Sequence, residues 1–155
     1  MGAPPIPGDG TVPVAFTSVP DIGTYVAKII ADPRTINKKV LAYTEVLTMN
    51  QVSDIMDELS GEKSLRNYRT AETLEKAIAD AWEALKKDPK DVAAFYSRAI
   101  SEYHYSWGVR GDNTPESAVY LGYLDFKELY PGVAGRTIRD FLREVLAGKG
   151  SGIRY

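Results

Sequence analysis

The chain has 155 residues, 19 lysines and arginines against 21 aspartates and glutamates, no cysteine and a single histidine, His104. That length supports one domain with a sizeable core, and the slight acidic excess argues against a polyanion-binding surface. The missing cysteines exclude disulfides and thiolate chemistry, and one histidine excludes a His-rich metal site.

No apolar run approaches the roughly 20 residues of a membrane helix, and Met1 to Pro7 has neither the basic region nor the apolar core of a signal peptide. The chain is therefore read as soluble and cytoplasmic, with no nucleic-acid or membrane partner. Residues 1–7 hold three of the nine prolines and are expected to form a disordered or extended lead-in.

Gly8-Asp-Gly10 is a turn signal. Val12, Val14 and Phe16 then alternate with Thr11, Pro13 and Ala15, the period of a half-buried strand. Pro13 cannot donate to a ladder and places that strand at an edge. Ser18 and Asp21, three apart, form a capping-box variant ahead of a helix over residues 19–31. Its broad stripe of Ile22, Tyr25, Val26, Ile29 and Ile30 predicts a well-buried helix, ended by Asp32-Pro33.

Val40 to Tyr43 is a continuous apolar run, the pattern of a strand covered on both faces in a parallel sheet. Strand, helix and strand in that order suit a doubly wound or mixed sheet. Few other segments could complete such a sheet. The chain is therefore expected to be the back part of a larger α/β protein, with unpaired edges that favour self-association.

Thr48 and Gln51 make a second capping box, with Gly61 as the stop of that helix. A short strand is expected over 65–68. Thr70 caps a third helix with Leu74, Ala77, Ile78, Ala81 and Leu85 inward. A fourth is expected over 89–107, with Pro89 in its first turn and Asp91 at the box position. Its apolar face reads Val92, Phe95, Tyr96, Ala99, Ile100, Tyr103 and Trp107, and Gly108 should break it. Helical turns over 117–121 and 126–129 and a turn at Tyr130-Pro131-Gly132 follow. Thr137 and Asp140 cap a last helix with Ile138, Phe141, Leu142, Val145 and Leu146 inward. Residues 8–147 are thus the domain, and 148–155 a tail.

Gly8-Asp-Gly10 lacks the third, helix-opening glycine of a dinucleotide fingerprint and is read as a plain turn. Tyr103, His104, Tyr105 and Trp107 could line a pocket for a flat aromatic ligand, but on periodicity a helix face packed in the core, with His104 satisfied by a neighbour, is the favoured reading. Arg110-Gly-Asp112 is read as a local loop pair of little energetic weight. We expect no tyrosine–lysine pair four residues apart of the kind short-chain dehydrogenases use to protonate a carbonyl. No catalytic residue is assigned.

Gly8 to Gly23, Asp32-Pro-Arg-Thr-Ile-Asn-Lys38, Leu47-Thr-Met-Asn-Gln51, Arg110-Gly-Asp112 and Glu128-Leu-Tyr-Pro131, in this order, resemble the NmrA-like, isoflavone-reductase-like proteins, fungal members above all. The resemblance implies an atypical short-chain dehydrogenase with an N-terminal Rossmann half that binds NADPH and a smaller C-terminal substrate half. This chain is similar to the C-terminal portion, helix-rich with a few short strands. It carries no counterpart of the family's glycine fingerprint, NADPH-selecting basic residue or catalytic lysine. The implied function is NAD(P)H-dependent reduction of small aromatic, isoflavone- or phenylpropanoid-like substrates. Phe16, Tyr103, His104 and Trp107 are the substrate contacts implied for this chain, with no cofactor or metal residue, and the chain alone is expected to be inactive. The alternative the family offers is a non-catalytic, dinucleotide-sensing regulatory module.

Overall fold

The structure, a computed structural model, describes residues 5–149. Among these residues six short strands pair as three separate two-stranded ribbons, and seven α-helices pack around them. β1 (Pro5–Pro7) runs parallel to β5 (Asn67–Arg69). β2 (Pro13–Phe16) runs antiparallel to β4 (Glu45–Thr48), and β3 (Val40–Leu41) runs parallel to β6 (Leu124–Asp125). The strand–helix–strand order expected for one sheet is present, but β2 and β3 do not pair with each other.

The described part of the lead-in takes the extended form of the two expected, and it is paired rather than free. Pro5–Pro7 forms β1, with Ile6 and Pro7 buried. Proline fits because β1 has a partner on one side only, where a missing donor costs least. The same holds for Pro13 in β2, as its spacing predicts. The open side of β2 is closed by Asn113, whose carbonyl accepts from the Ala15 amide and whose side chain donates to the Ala15 carbonyl. Residues 1–4 and the end of the expected tail, 150–155, lie outside the described residues.

α1 (Val19–Ile30) forms where expected, but it is not well buried. Of its apolar stripe only Tyr25 is inside, against Phe126 at 4.4 Å between ring centroids, while Ile22, Val26 and Ile30 are exposed. Its cap also differs. The Ser18 hydroxyl accepts no backbone amide; it donates to Asp21 Oδ2 at 2.9 Å. Asp21 is drawn instead to the Arg136 amide, 2.6 Å from the same oxygen. α2 (Met49–Ser60) shows the full reciprocal box of Thr48 and Gln51, and Gly61 ends it with φ 73°, a left-handed conformation that suits glycine.

α3 (Ala71–Lys87) and α4 (Val92–Tyr105) pack as a pair. Thr70 caps α3 and Leu74 and Ala81 are its buried residues, as predicted. α4 starts later than expected, because Asp91 is itself the cap and accepts from the Ala94 amide. The face of α4 is also corrected. Ala94 and Ser101 are buried, while Val92, Phe95, Tyr96, Ile100 and Tyr103 are exposed. Small side chains let α4 approach its neighbours closely, and the larger apolar face remains open. Gly108 does not break the helix. A π-helical turn, Ser106–Arg110, continues it, and Gly108 packs so tightly on Pro7 that a β-carbon would collide.

α5 (Pro115–Tyr120), α6 (Phe126–Leu129) and α7 (Ile138–Leu146) complete the chain. Thr137 accepts from the Asp140 amide, as its spacing predicts, and Leu142 is the buried residue of α7.

Candidate functional site

The end of α4 and the π-helical turn after it form one wall of a cleft of about 400 Å³. Tyr103 and Trp107 line it, one turn apart, with rings edge to face at 6.2 Å. Asp112, Asn113, Thr114 and Tyr123 face them. The polar rim is fixed by bonds of its own. Asp112 accepts from Ser106 Oγ at 2.7 Å and pairs with Arg110, and these contacts, Ser106 first, hold its carboxyl below the usual aspartate range. Asn113 is tied to β2, and Thr114 caps α5 by accepting from the Ser117 amide. Arg110-Gly-Asp112 is thus the local loop pair that its sequence suggested.

His104 touches the aromatic cluster from behind. Its ring is 5.8 Å from that of Trp107, edge to face, and 6.3 Å from that of Tyr103. Burial, with a smaller contribution from the Arg69 charge, pushes the imidazole below its ordinary 6.5. His104 Nδ1 and Trp107 Nε1 are both buried without a hydrogen-bond partner. Tyr105 turns away, donating to Glu75 of α3 at 2.7 Å. Phe16 stands apart, in the wall of a separate cavity beside α7. Of the four implied substrate contacts, the structure therefore brings Tyr103 and Trp107 into one cleft, places His104 behind them and leaves Phe16 elsewhere.

Tyr123 and Asn113 belong to the cleft but were not singled out from sequence. Tyr123 carries a second correction: with Lys127 it is a tyrosine–lysine pair four apart. The two side chains part company, because β6 separates Tyr123 from α6. Lys39 Nζ lies 5.2 Å from the Tyr123 ring centre, whereas Lys127 Nζ lies 5.4 Å from that of Tyr43. Tyr43 donates to Asp125 at 2.8 Å; burial, and then that carboxylate, push its hydroxyl up to about 12.

The Gly8–Gly10 turn is not built as a phosphate cradle. Gly8 and Gly10 are packed against protein: a β-carbon on Gly8 would lie 2.5 Å from the Gly108 carbonyl oxygen, and one on Gly10 2.5 Å from Asn50 Oδ1. The turn leads into β2 rather than into a helix, unlike the glycine turn of a dinucleotide fingerprint.

The profile of the NmrA-like family matches residues 2–129. The chain belongs to the NmrA-like family. Asnovolin J 5',6'-dehydrogenase nvfM of Aspergillus novofumigatus is 42% identical over 144 residues, covering 93% of this chain and 44% of its own length. Phenylcoumaran benzylic ether reductase TP7 of Nicotiana tabacum is 30% identical over 139 residues, covering 88% of this chain and 41% of its own. The binary complex of leucoanthocyanidin reductase and NADPH from Vitis vinifera superposes with a TM-score of 0.73 at 21% identity, over 94% of this chain and 46% of that one. The chain thus spans less than half the length of these relatives. Among the described residues no helix is long and apolar enough to cross a membrane.

Proposed function

We propose that this NmrA-like chain supplies the substrate side of an NADPH-dependent reductase of small aromatic molecules. The edge-to-face pair of Tyr103 and Trp107 on one wall of the cleft carries this reading. Two such faces offer an apolar, stacking surface for a flat ring, and Asp112 and Thr114 across the cleft offer polar groups to orient it. The names of the relatives, a dehydrogenase and several reductases, support the reaction class. NADPH would supply the hydride, and its cradle would belong to the part of the relatives that this chain does not match. Here the chain's own residues bind and orient the ring.

Coniferyl alcohol titrated into the 155-residue chain and followed at the Trp107 indole by NMR tests this reading. Saturable shifts that are lost in Tyr103→Ala are expected. A Trp107 indole that does not move at millimolar ligand would overturn the cleft assignment. NADPH itself should bind no tighter than about millimolar, roughly −4 kcal/mol; micromolar binding would require a nucleotide site in these residues and would overturn the division of labour.

A further inference from the structure

The chain stays helical past the end of α4, but with a wider turn. In Ser106–Arg110 the Gly111 amide donates to the Ser106 carbonyl, and the Asp112 amide donates to the same oxygen at 3.1 Å. A π turn of this kind holds one residue more between its bonded groups than an α turn, is rare, and recurs at functional sites. Ser106 and Trp107 of the turn line the Tyr103–Trp107 cleft. The next two residues, Gly108 and Val109, line a different cavity of about 440 Å³, together with Val12 and Tyr68.

The hold on this turn is tertiary. Gly108 is buried and lies against β1: a β-carbon there would collide with Pro7 Cβ and lie 3.0 Å from Pro7 Cγ. Gly8, with φ 65°, approaches the Gly108 carbonyl just as closely, so each glycine leaves room for the other's backbone. β1 has little freedom to retreat. Ile6 and Pro7 are buried, all three residues of β1 pair with β5, and the Gly8 amide donates to the Arg69 carbonyl at 2.8 Å. Arg69 in turn donates from Nη2 to Ser101 Oγ of α4 at 3.3 Å. The β1–β5 ribbon is thereby tied to the same helix whose end it presses.

We infer, resting on the reading of that cleft as the ligand site, that Gly108 is a positioning residue for it: the seat of Gly108 on Pro7 sets the π turn, and the turn sets where the Trp107 ring stands against Tyr103. Gly108 does not itself line the cleft. It acts through its neighbour Trp107, whose ring meets Tyr103 at 6.2 Å and His104 at 5.8 Å, both edge to face. A side chain at position 108 must lift the turn off β1, because close-packed atoms yield by moving rather than by compressing. The Trp107 ring moves with the turn, and the cleft loses the paired aromatic wall that would hold a flat ring.

The test compares Gly108→Ala, Pro7→Gly and the double variant in the 155-residue chain, by NMR without ligand and then by titration with coniferyl alcohol. Without ligand, Gly108→Ala should move the Trp107 indole signal and weaken its NOEs to the Tyr103 and His104 rings. Pro7→Gly empties the seat and should move the same signal. In the double variant the new methyl group takes the space of the lost proline carbons, so the signal should return toward that of the unaltered chain. Coniferyl alcohol should bind about three- to tenfold more weakly to each single variant, the size of a lost aromatic contact, and recover in the double. A merely structural role lowers urea stability while the Trp107 signal and the affinity of the folded chain stay unchanged. That result overturns the proposal, as does a double variant in which Trp107 is displaced further than in either single one. Should Gly108→Ala not fold, Pro7→Gly and the double variant decide by the same signals, and an unmoved Trp107 in Pro7→Gly overturns it. Should the unaltered chain bind no coniferyl alcohol, the cleft reading fails by that titration alone, and the ligand-free signals still decide whether Gly108 places Trp107.

Discussion

The Tyr25 hydroxyl lies 2.9 Å from Thr44 Oγ1, and Gly135 passes directly over the pair. That contact joins α1, the approach to β4 and the segment before α7 at one buried point. A β-carbon on Gly135 would overlap both oxygens and lie 2.9 Å from Asp21 Oδ2.

Gly135→Ala should therefore destabilise the chain by about 1–3 kcal/mol, the usual cost of forcing atoms into packed space. Gly132→Ala, where a β-carbon meets nothing within 4 Å, is the control and should be close to neutral. Because the clash involves the Tyr25 hydroxyl, Tyr25→Phe should relieve part of it, and the double variant should be less destabilised than the sum by at least about 0.5 kcal/mol. Additive urea-unfolding energies would show that the backbone shifts instead.

Two helix starts that look alike in sequence should respond differently. Thr48→Ala removes a hydroxyl that accepts the Gln51 amide and should cost about 1 kcal/mol. Ser18→Ala removes a hydroxyl that caps nothing and should cost under about 0.5 kcal/mol, within the range of ordinary surface changes. Asp21→Ala should cost more than Ser18→Ala, since it strips the acceptor from the Arg136 amide. Chemical denaturation of the three variants decides the order; a Ser18→Ala penalty equal to that of Thr48→Ala would mean the cap forms after all.

The same pair marks what was legible in the sequence. Spacing located Thr48, Thr70 and Thr137 as caps because each acts on an amide within its own first turn. It failed at Ser18 because Asp21 is claimed by an amide 115 positions away, which no local pattern carries. Helical periodicity likewise found α4 but not its inward face. Ala94 and Ser101 face the core by virtue of being small, and small residues leave no apolar signal. The aromatic cleft was readable only by half. Tyr103 and Trp107 share a helix turn, but Tyr123 and Asn113 reach them through tertiary contacts of β6 and β2.

His104 provides a pH-dependent reading of the site. Burial lowers its pKa from the ordinary 6.5, with Arg69 adding to the effect, so the folded chain binds the proton less readily than the unfolded one. The stability held by neutral His104 is then fully present above pH 6.5 and is lost as pH falls below it toward the folded value. As His104 is the single histidine, a one-dimensional NMR titration of its imidazole reports on it alone. A midpoint below 6.5, moving upward in Arg69→Gln, is expected. A midpoint at or above 6.5 would show that the ring is solvated or has found a carboxylate.

The last prediction concerns the open face of α4. Val92 is 65% exposed, Tyr96 60% and Tyr103 67%, with Phe95 and Ile100 between them at about half. α1 adds Val19, Ile22, Val26 and Ile30, all exposed. Single exposed apolar residues are ordinary, but contiguous helical stripes of this kind mark surfaces that find partners. The chain by itself should therefore associate reversibly with rising concentration. Phe95→Glu with Ile100→Lys places opposite charges in the middle of the α4 face. Both sites are exposed, so the fold should tolerate them within about 0.5 kcal/mol. Sedimentation velocity should show a concentration-dependent shift for the unaltered chain and a weaker one for the double variant. If the unaltered chain sediments as a monomer at every concentration and melts cooperatively, these faces need no cover. The expectation of self-association would then be lost, while the Tyr103–Trp107 cleft, at the far end of the same helix, would stand or fall on its own titration.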